Sequence, residues 1–325
     1  MTRMSPRSRP RILAVAAAAL AVAMLATGCA RDTLPAESSS AAKSYTVKHQ
    51  YGSTTIPTDY SRVVVTFTAL MDSAVAVGVV PVASPQSFDG FPKYLGVDGS
   101  DVASLGDSDA DIDIEAIGAQ NPDLILVNVE RGAAVGDTQY EALSKIAPTV
   151  PIITGEQDPR GVAKQVAVAL DRVADMKKVA ADYDAHAAKV KAELARVPEA
   201  KLSVSQVRLR PDHVRMMMQD TNAGIAMVDL GLNFKDPLPG AVLDGGYYET
   251  SLELLPEAIG DTVFVYSTDE GVLENVKTLP VWQLLPAVKK NRVFDVDFEA
   301  WMRGQGYLAL GAVVDEIAAV YGVES

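Results

Sequence analysis

Residues 160–197, RGVAKQVAVALDRVADMKKVAADYDAHAAKVKAELARV, contain no proline and a single glycine, at the second position. Apolar or small residues recur at 162, 166, 170, 173, 176, 180, 183, 187, 190 and 194, a spacing of three or four throughout. That period is the one-sided stripe of an α-helix. It predicts one helix over 160–197, about 50 Å long at 1.5 Å per residue. Such a helix is too long for an ordinary βαβ crossover, and the elements on either side of it are short. It therefore splits the chain into a part before and a part after, with a strut between.

Both parts read as α/β. RVVVTF (62–67) is a continuous β-branched run, the mark of a strand buried on both faces of a parallel sheet. DIDIEAIGAQNPDLILVN (111–128) reads as helix, Asn-Pro turn and buried strand; DTQYEALSKIAPTVPII (137–153) repeats the unit. After the strut, KLSVSQVRL (201–209) and HVRMMM (213–218) are strands and NAGIAMVDLGL (222–232) is a helix. SLELLPEAIGDTVFVYS (251–267) repeats the unit of 111–128, NRVFDV (291–296) is a late strand, and GYLALGAVVDEIAAVYG (306–322) a terminal helix. Helix alternating with apolar strand implies an α/β layer architecture. The expected fold is two α/β lobes, 44–159 and 198–325, joined by one long rigid helix, 160–197, with a ligand cleft between the lobes.

The start of the chain has a different character. MTRMSPRSRPR carries four arginines and no acid, and ILAVAAAALAVAMLATG then runs apolar up to Cys29, the one cysteine of the 325 residues. A basic stretch, an apolar stretch and a small-residue exit describe an export signal, here 1–28. A lone thiol makes no internal disulfide. Ala26-Thr27-Gly28-Cys29 resembles a bacterial lipobox, with Ala26 where leucine is usual, and this implies that Cys29 is lipidated. Several acyl chains, at roughly 0.8 kcal/mol per buried methylene, hold a soluble body at a membrane. The small, polar stretch over 29–43 reads as a flexible tether. The expected location is the cell membrane, lipid-anchored on the extracytoplasmic face.

Composition excludes several functions. The net charge is −13, and −17 without the four signal arginines. No basic field exists to attract nucleic-acid phosphates. Three histidines, His49, His186 and His213, lie far apart, which argues against a directly coordinated metal site and for no resident cofactor. LGDSDAD (105–111) resembles the Gly-Asp-Ser block of one esterase family, but no Asp-x-x-His answers it and no Gly-x-Ser-x-Gly elbow occurs. Ser108 then has no base to activate it, and an enzyme is not expected.

Taken in order, YTVKHQYGSTTIP, MDSAVAVGVVPV, DIDIEAIGAQNPDLILVN, YEALSKIAPTV, the long helix, SLELLPEAIGDTVFVYS and VWQLLPAVKKNRVFDV resemble one family. It is that of the substrate-binding lipoproteins of ABC importers for ferric siderophores, haem and vitamin B12. The resemblance implies a monomer that captures a ferric siderophore and delivers it to a permease dimer in the membrane. The alternatives are a cobalamin- or haem-binding lipoprotein of the same class and a non-transport surface lipoprotein. In the family an acidic residue near the same point of each lobe meets arginines of the permease; here these are Glu115 and Glu253. An ordinary acidic residue in the first turn of a helix is the plainer reading of each.

Ligands of α/β bodies sit outside the carboxyl ends of strands. That places Arg131, after LILVN, and Arg208, Arg210 and Arg215, around the turn in QVRLRPDHVRMMM, as candidate contacts. DVDFEAWMRGQGY sets Trp301 and Arg303 after the last strand, where the family commonly has an aromatic. Tyr247 and Tyr248, in LDGGYYET, and Phe88 and Phe91, in SFDGFPKYL, are further candidates. Guanidinium forks bind the oxygens of an anionic chelate, and flat rings pack on its face. The run Met216–Met218 reads as sheet core.

Overall fold

The apolar runs flanking the connector become two sheets. A computed structural model of the chain describes residues 43–86, 90–106, 113–129, 137–154 and 159–325. Cys29, Phe88, Ser108, Arg131, the signal and all but the last residue of the tether lie outside the described residues. A hairpin of β1 (Ser44–His49) and β2 (Gly52–Pro57) opens the described chain. The N-terminal sheet holds β3 (Val63–Val65), β4 (Ala83–Ser84), β5 (Ala103–Ser104), β6 (Leu124–Val129) and β7 (Thr149–Ile153) in the order β5-β4-β3-β6-β7, with every pairing parallel. Val63, Val64 and Val65 are all buried, as a strand covered on both faces requires.

The C-terminal sheet holds β8 (Ser203–Leu209), β9 (Val214–Met217), β10 (Asn233–Phe234), β11 (Tyr247–Thr250), β12 (Thr262–Tyr266) and β13 (Val293–Asp295). Its order is β11-β9-β8-β12-β13, with β10 also paired to β8. Here β8, β10, β12 and β13 run parallel, while β9 and β11 are antiparallel additions.

Helices fill the space around and between the sheets: α1 (Thr68–Ala76), α2 (Ile114–Ala119), α3 (Asp137–Ser144), α4 (Pro159–Ala169), α5 (Val173–Leu194), α6 (Asn222–Asp229), four short helices α7 to α10 (Leu255–Ala258, Val272–Thr278, Pro280–Leu284 and Pro286–Lys289) and α11 (Tyr307–Tyr321). The largest apolar cluster joins α1, α4, α5, α6 and α11 to one face of each sheet, through Val63, Val65, Leu124 and Leu126 on one side and Val204 and Phe264 on the other. Separate clusters back the outer faces. Helix α11 packs against α1 and α4 as well as α5 and α6, so the last segment of the chain also belongs to the layer between the lobes.

The connector is long and helical as expected, the 22 residues of α5 forming its main part, and departs from expectation only in a stop that divides it. It is two helices, α4 and α5, with Asp171 between them at φ 51°. Arg172 N–H donates to Ala167 C=O at 2.8 Å and Asp171 N–H to Val168 C=O at 3.3 Å, the bond pair of a Schellman stop. The carbonyls left over are taken by tyrosines: Tyr45 O–H donates to Ala169 C=O at 2.7 Å and Tyr60 O–H to Leu170 C=O at 2.6 Å. Neither glycine nor proline marks this break, because the αL residue is an aspartate and the partners come from far upstream. The start of α4 is tied to the C-terminal lobe by Arg160 Nη2 on Asp229 Oδ2, 2.5 Å, an oxygen that also accepts Tyr183 O–H at 2.6 Å.

Candidate functional site

Strand register assembles the site. On the inner face of the C-terminal sheet, Tyr247, Met217, Gln206 and Phe264 are cross-strand neighbours, and in the next row Glu249, Arg215, Arg208 and Tyr266 are. Residues two apart share a face of a strand, so both rows look toward the helical layer. A pocket of about 90 Å³ opens beside them, lined by Pro159 from α4, Met217, Thr221 and Asn222 from the start of α6, Gly245 and Tyr247, and Trp301, Met302 and Gln305. The last three sit on or just after a π-helical turn, Glu299–Arg303, that leads into α11.

The cationic groups stand at the carboxyl end of β8. Arg208 Nη2 donates to Thr268 Oγ1 at 3.1 Å and its guanidinium lies 5.8 Å from the Phe298 ring centre, while its Nε is buried with no hydrogen-bond partner. Burial first, and then the positive charges of Arg210 and Arg215, hold its proton affinity below the usual arginine range. Arginine keeps its charge regardless. A half-buried guanidinium crowded by two others is therefore placed to gain from an incoming anion. Arg215 covers the Tyr247 ring at 4.5 Å and holds Glu249 Oε1 at 3.1 Å. Arg210 lies past the strand end, 3.5 Å from Asp269 Oδ2.

Adjacent tyrosines part company here. Tyr247 faces the pocket, but Tyr248 is 3 % exposed on the outer face, packed with Val207, Val214 and Val263. Alternation along β11 sends successive side chains to opposite faces, so the expectation that both tyrosines meet the ligand is corrected for Tyr248. Trp301 reaches the pocket only as its floor: the indole is 1 % exposed, 4.9 Å from the Phe264 ring, with Nε1–H on Glu316 Oε2 of α11. It is not the open stacking surface expected of it. Arg303 is turned to the interior, its Nε 3.8 Å from Glu299 Oε2, with side-chain exposures of 17 % and 13 %.

Sequence reasoning passed over Thr221, Asn222, Met302 and Gln305. Thr221 caps α6, its Oγ1 accepting Gly224 N–H at 3.0 Å, and this stations Asn222 at the pocket wall with both amide atoms buried and without a partner. A threonine before an apolar helical run was the available signal for a cap, but nothing in the spacing said that the cap faces a cleft. Phe91 is half-buried against the core of the N-terminal lobe, away from this pocket. Met216 and Met217 are buried sheet residues.

The two glutamates are on the surface. Asp113 accepts the N–H groups of Glu115 and Ala116 at 3.0 and 2.9 Å, which starts α2 and leaves Glu115 exposed in its first turn. Glu253 is exposed in the turn that leads into α7, and a hydrogen bond with the Ser251 side chain holds its carboxyl below the usual range. Each precedes a central strand of its lobe, β6 or β12. Among the described residues no cluster of His, Cys, Asp and Glu is arranged to hold a metal ion.

A family model described as "Periplasmic binding protein" matches residues 63–300. The Fe(3+)-citrate-binding protein YfmC of Bacillus subtilis (strain 168) is 26 % identical over 305 residues, covering 91 % of this chain and 92 % of its own. The "Probable siderophore-binding lipoprotein YfiY" of the same organism is 29 % identical over 298 residues, covering 87 % and 89 %. Staphylococcus aureus SirA, solved in complex with staphyloferrin B, superposes with a TM-score of 0.68 at 27 % identity, over 86 % of this chain and 99 % of that one.

Proposed function

The chain belongs to the periplasmic binding protein family, and from that premise we propose that it captures a ferric siderophore outside the cytoplasm and delivers it to the permease of an ABC importer. The observation that carries the choice of ligand is the inner-face row Arg208–Arg215, with its unpartnered Arg208 Nε–H, next to a pocket whose wall holds an unpartnered Asn222 amide. An anionic chelate supplies what these groups lack. Its carboxylate or catecholate oxygens take the guanidinium donors, and its flat faces lie against Tyr247 and the apolar wall of Met217 and Met302. The relative named for Fe(3+)-citrate agrees with an oxygen-rich anionic cargo, and the one named for a siderophore agrees with a chelate. A protein of net charge −13 repels such a cargo at long range, so a local cluster of arginines is what makes capture favourable.

In this reading the protein acts as a monomer. Glu115 and Glu253, one on each lobe, present two exposed charges to the two permease subunits and fix the orientation of docking. Cys29 carries the lipid that keeps the receptor at the membrane. Iron is cargo held by its own chelator, so no protein metal ligand is called for.

The test is a titration of the chain from residue 30 onward with ferric citrate, ferric catecholate and hydroxamate siderophores, haem and cobalamin, followed by tryptophan fluorescence. Submicromolar quenching by a ferric siderophore, weakened in Arg208→Gln, is the expected result. Quenching by haem or cobalamin alone would keep an importer receptor and replace its cargo, and silence across the panel would remove the uptake reading.

A further inference from the structure

Helix α11 begins without a cap of its own. Its N-cap position is Gly306, which has no side chain to accept the free N–H groups of the first turn. Those groups are satisfied from the other end of the chain. Asp72, in the middle of α1, accepts Leu308 N–H through Oδ1 at 3.2 Å and Ala309 N–H through Oδ2 at 2.9 Å. These are the N2 and N3 donors that a capping aspartate at 306 would take. The arrangement leaves no room for an alternative, since a Cβ on residue 306 would stand 1.9 Å from Asp72 Oδ1. Asp72 is fully buried and also hydrogen-bonds the Tyr94 hydroxyl, whose other charged neighbours are Glu299, Arg303 and Asp297.

Asp72 stands on the N-terminal lobe. The segment that it holds, directly before α11, carries Trp301, Met302 and Gln305, three of the residues that line the pocket. Trp301 is fastened to α11 a second time, through Glu316. A carboxylate that fixes the start of α11 therefore fixes one wall of the pocket relative to α1. We propose that Asp72 is the positioning residue of the ligand pocket, an N-cap supplied by one lobe to the helix that seats the binding wall of the other. Asp72 touches no part of the pocket itself, and it acts through Gly306 and the first turn of α11. Its effect on binding rests on the function proposed above, whereas its effect on the wall does not.

The experiment uses the two tryptophans of the chain as separate reporters. The full-length protein is labelled with 5-fluorotryptophan, and the two ¹⁹F resonances are assigned with Trp282→Phe. Trp282 lies in the outer-face cluster of the C-terminal lobe, away from Asp72. Asp72→Asn, which puts an amide donor where an acceptor is needed, and Gly306→Ala, which strikes the same contact from the other side, are compared with the double variant. The expected result is a shifted or broadened Trp301 resonance in each single variant with the Trp282 resonance in place. A ferric siderophore bound by the parent should bind about 10-fold more weakly, and the double variant should be no worse than either single one. A Trp301 resonance unmoved in both single variants, or both resonances moved together, overturns the proposal. If the parent binds no ferric siderophore, the proposed cargo fails while the resonances still decide the role of Asp72.

Discussion

The two sheets start from the same helix–turn–strand unit and end with different chemistry at the cleft. In the N-terminal sheet every pairing is parallel, and the described residues at the ends of its strands are uncharged: Thr66 after β3 donates to Asn128 of β6 at 2.7 Å. The C-terminal sheet adds two antiparallel strands, β9 and β11, to its parallel centre, and these bring Arg215 and Tyr247 alongside Arg208. A parallel strand enters the cleft once and leaves through a helix. An antiparallel hairpin turns back within a few residues, so it lays several side chains across one face. The extension of the sheet is thus what turns a structural lobe into a charged candidate half-site.

The strongest way to break this contrast is to remove the floor. Trp301→Ala is expected to cost about 3–5 kcal/mol in urea unfolding and to abolish siderophore binding. Leu126→Ala, equally buried in the N-terminal sheet, should cost about 2–5 kcal/mol and leave the affinity of the folded fraction nearly unchanged.

A second test concerns the carboxylate that the N-terminal lobe gives to the shared layer. Burial, only partly offset by the Leu308 and Ala309 N–H groups and the Tyr94 hydroxyl, raises Asp72 to about 7. A carboxyl raised on folding contributes stability that is full below its unfolded value, near 4, and is lost as pH rises through 7. The wild type should therefore lose stability relative to Asp72→Asn, by a few kcal/mol, between pH 4 and 8. Urea midpoints of the pair measured across that range would read it, and parallel curves would refute it.

Smaller effects sharpen the picture of the half-site. Arg208→Gln or Arg215→Gln should weaken binding of an anionic ferric siderophore by about 1.5–3 kcal/mol, the range for hydrogen bonds to charged groups, while Thr66→Val at the facing lobe changes it little. Calorimetric titration distinguishes these outcomes, and equal losses on both sides would end the asymmetry. At the small end, Glu115→Ala and Glu253→Ala should leave stability within about 0.5 kcal/mol and affinity unchanged. Each should slow siderophore uptake by cells carrying the partner permease, and normal uptake by the double variant would remove the docking role.

Much of the architecture was legible because it rests on short-range pattern. Buried β-branched runs marked β3, β6 and β12, and the helical period marked the connector. The stop at Asp171 was not legible, because it depends on an αL aspartate and on two tyrosine hydroxyls more than a hundred residues upstream. The site was legible in its chemistry and less so in its aim. Arg208 stands near the carboxyl end of β8, and Tyr247, read as a loop residue, begins β11, where Tyr247 and Tyr248 are indistinguishable until the parity of the strand is known. Trp301 reads as a ligand platform from its loop and proves to be part of the core. Asn222 gives no signal of its own, since the wall on which it sits is made by the packing of α6 against the loop before α11.

The closing of that packing has a consequence for how the chain is made. Leu310, Val313, Val314 and Ile317 of α11 are fully buried in the same cluster as α1, and Asp72 of α1 waits for the N–H groups of Leu308 and Ala309. The first lobe to leave the ribosome therefore cannot complete its own interior until α11 has been added. Placing that piece so far along the chain leaves the first lobe open while the second is being made.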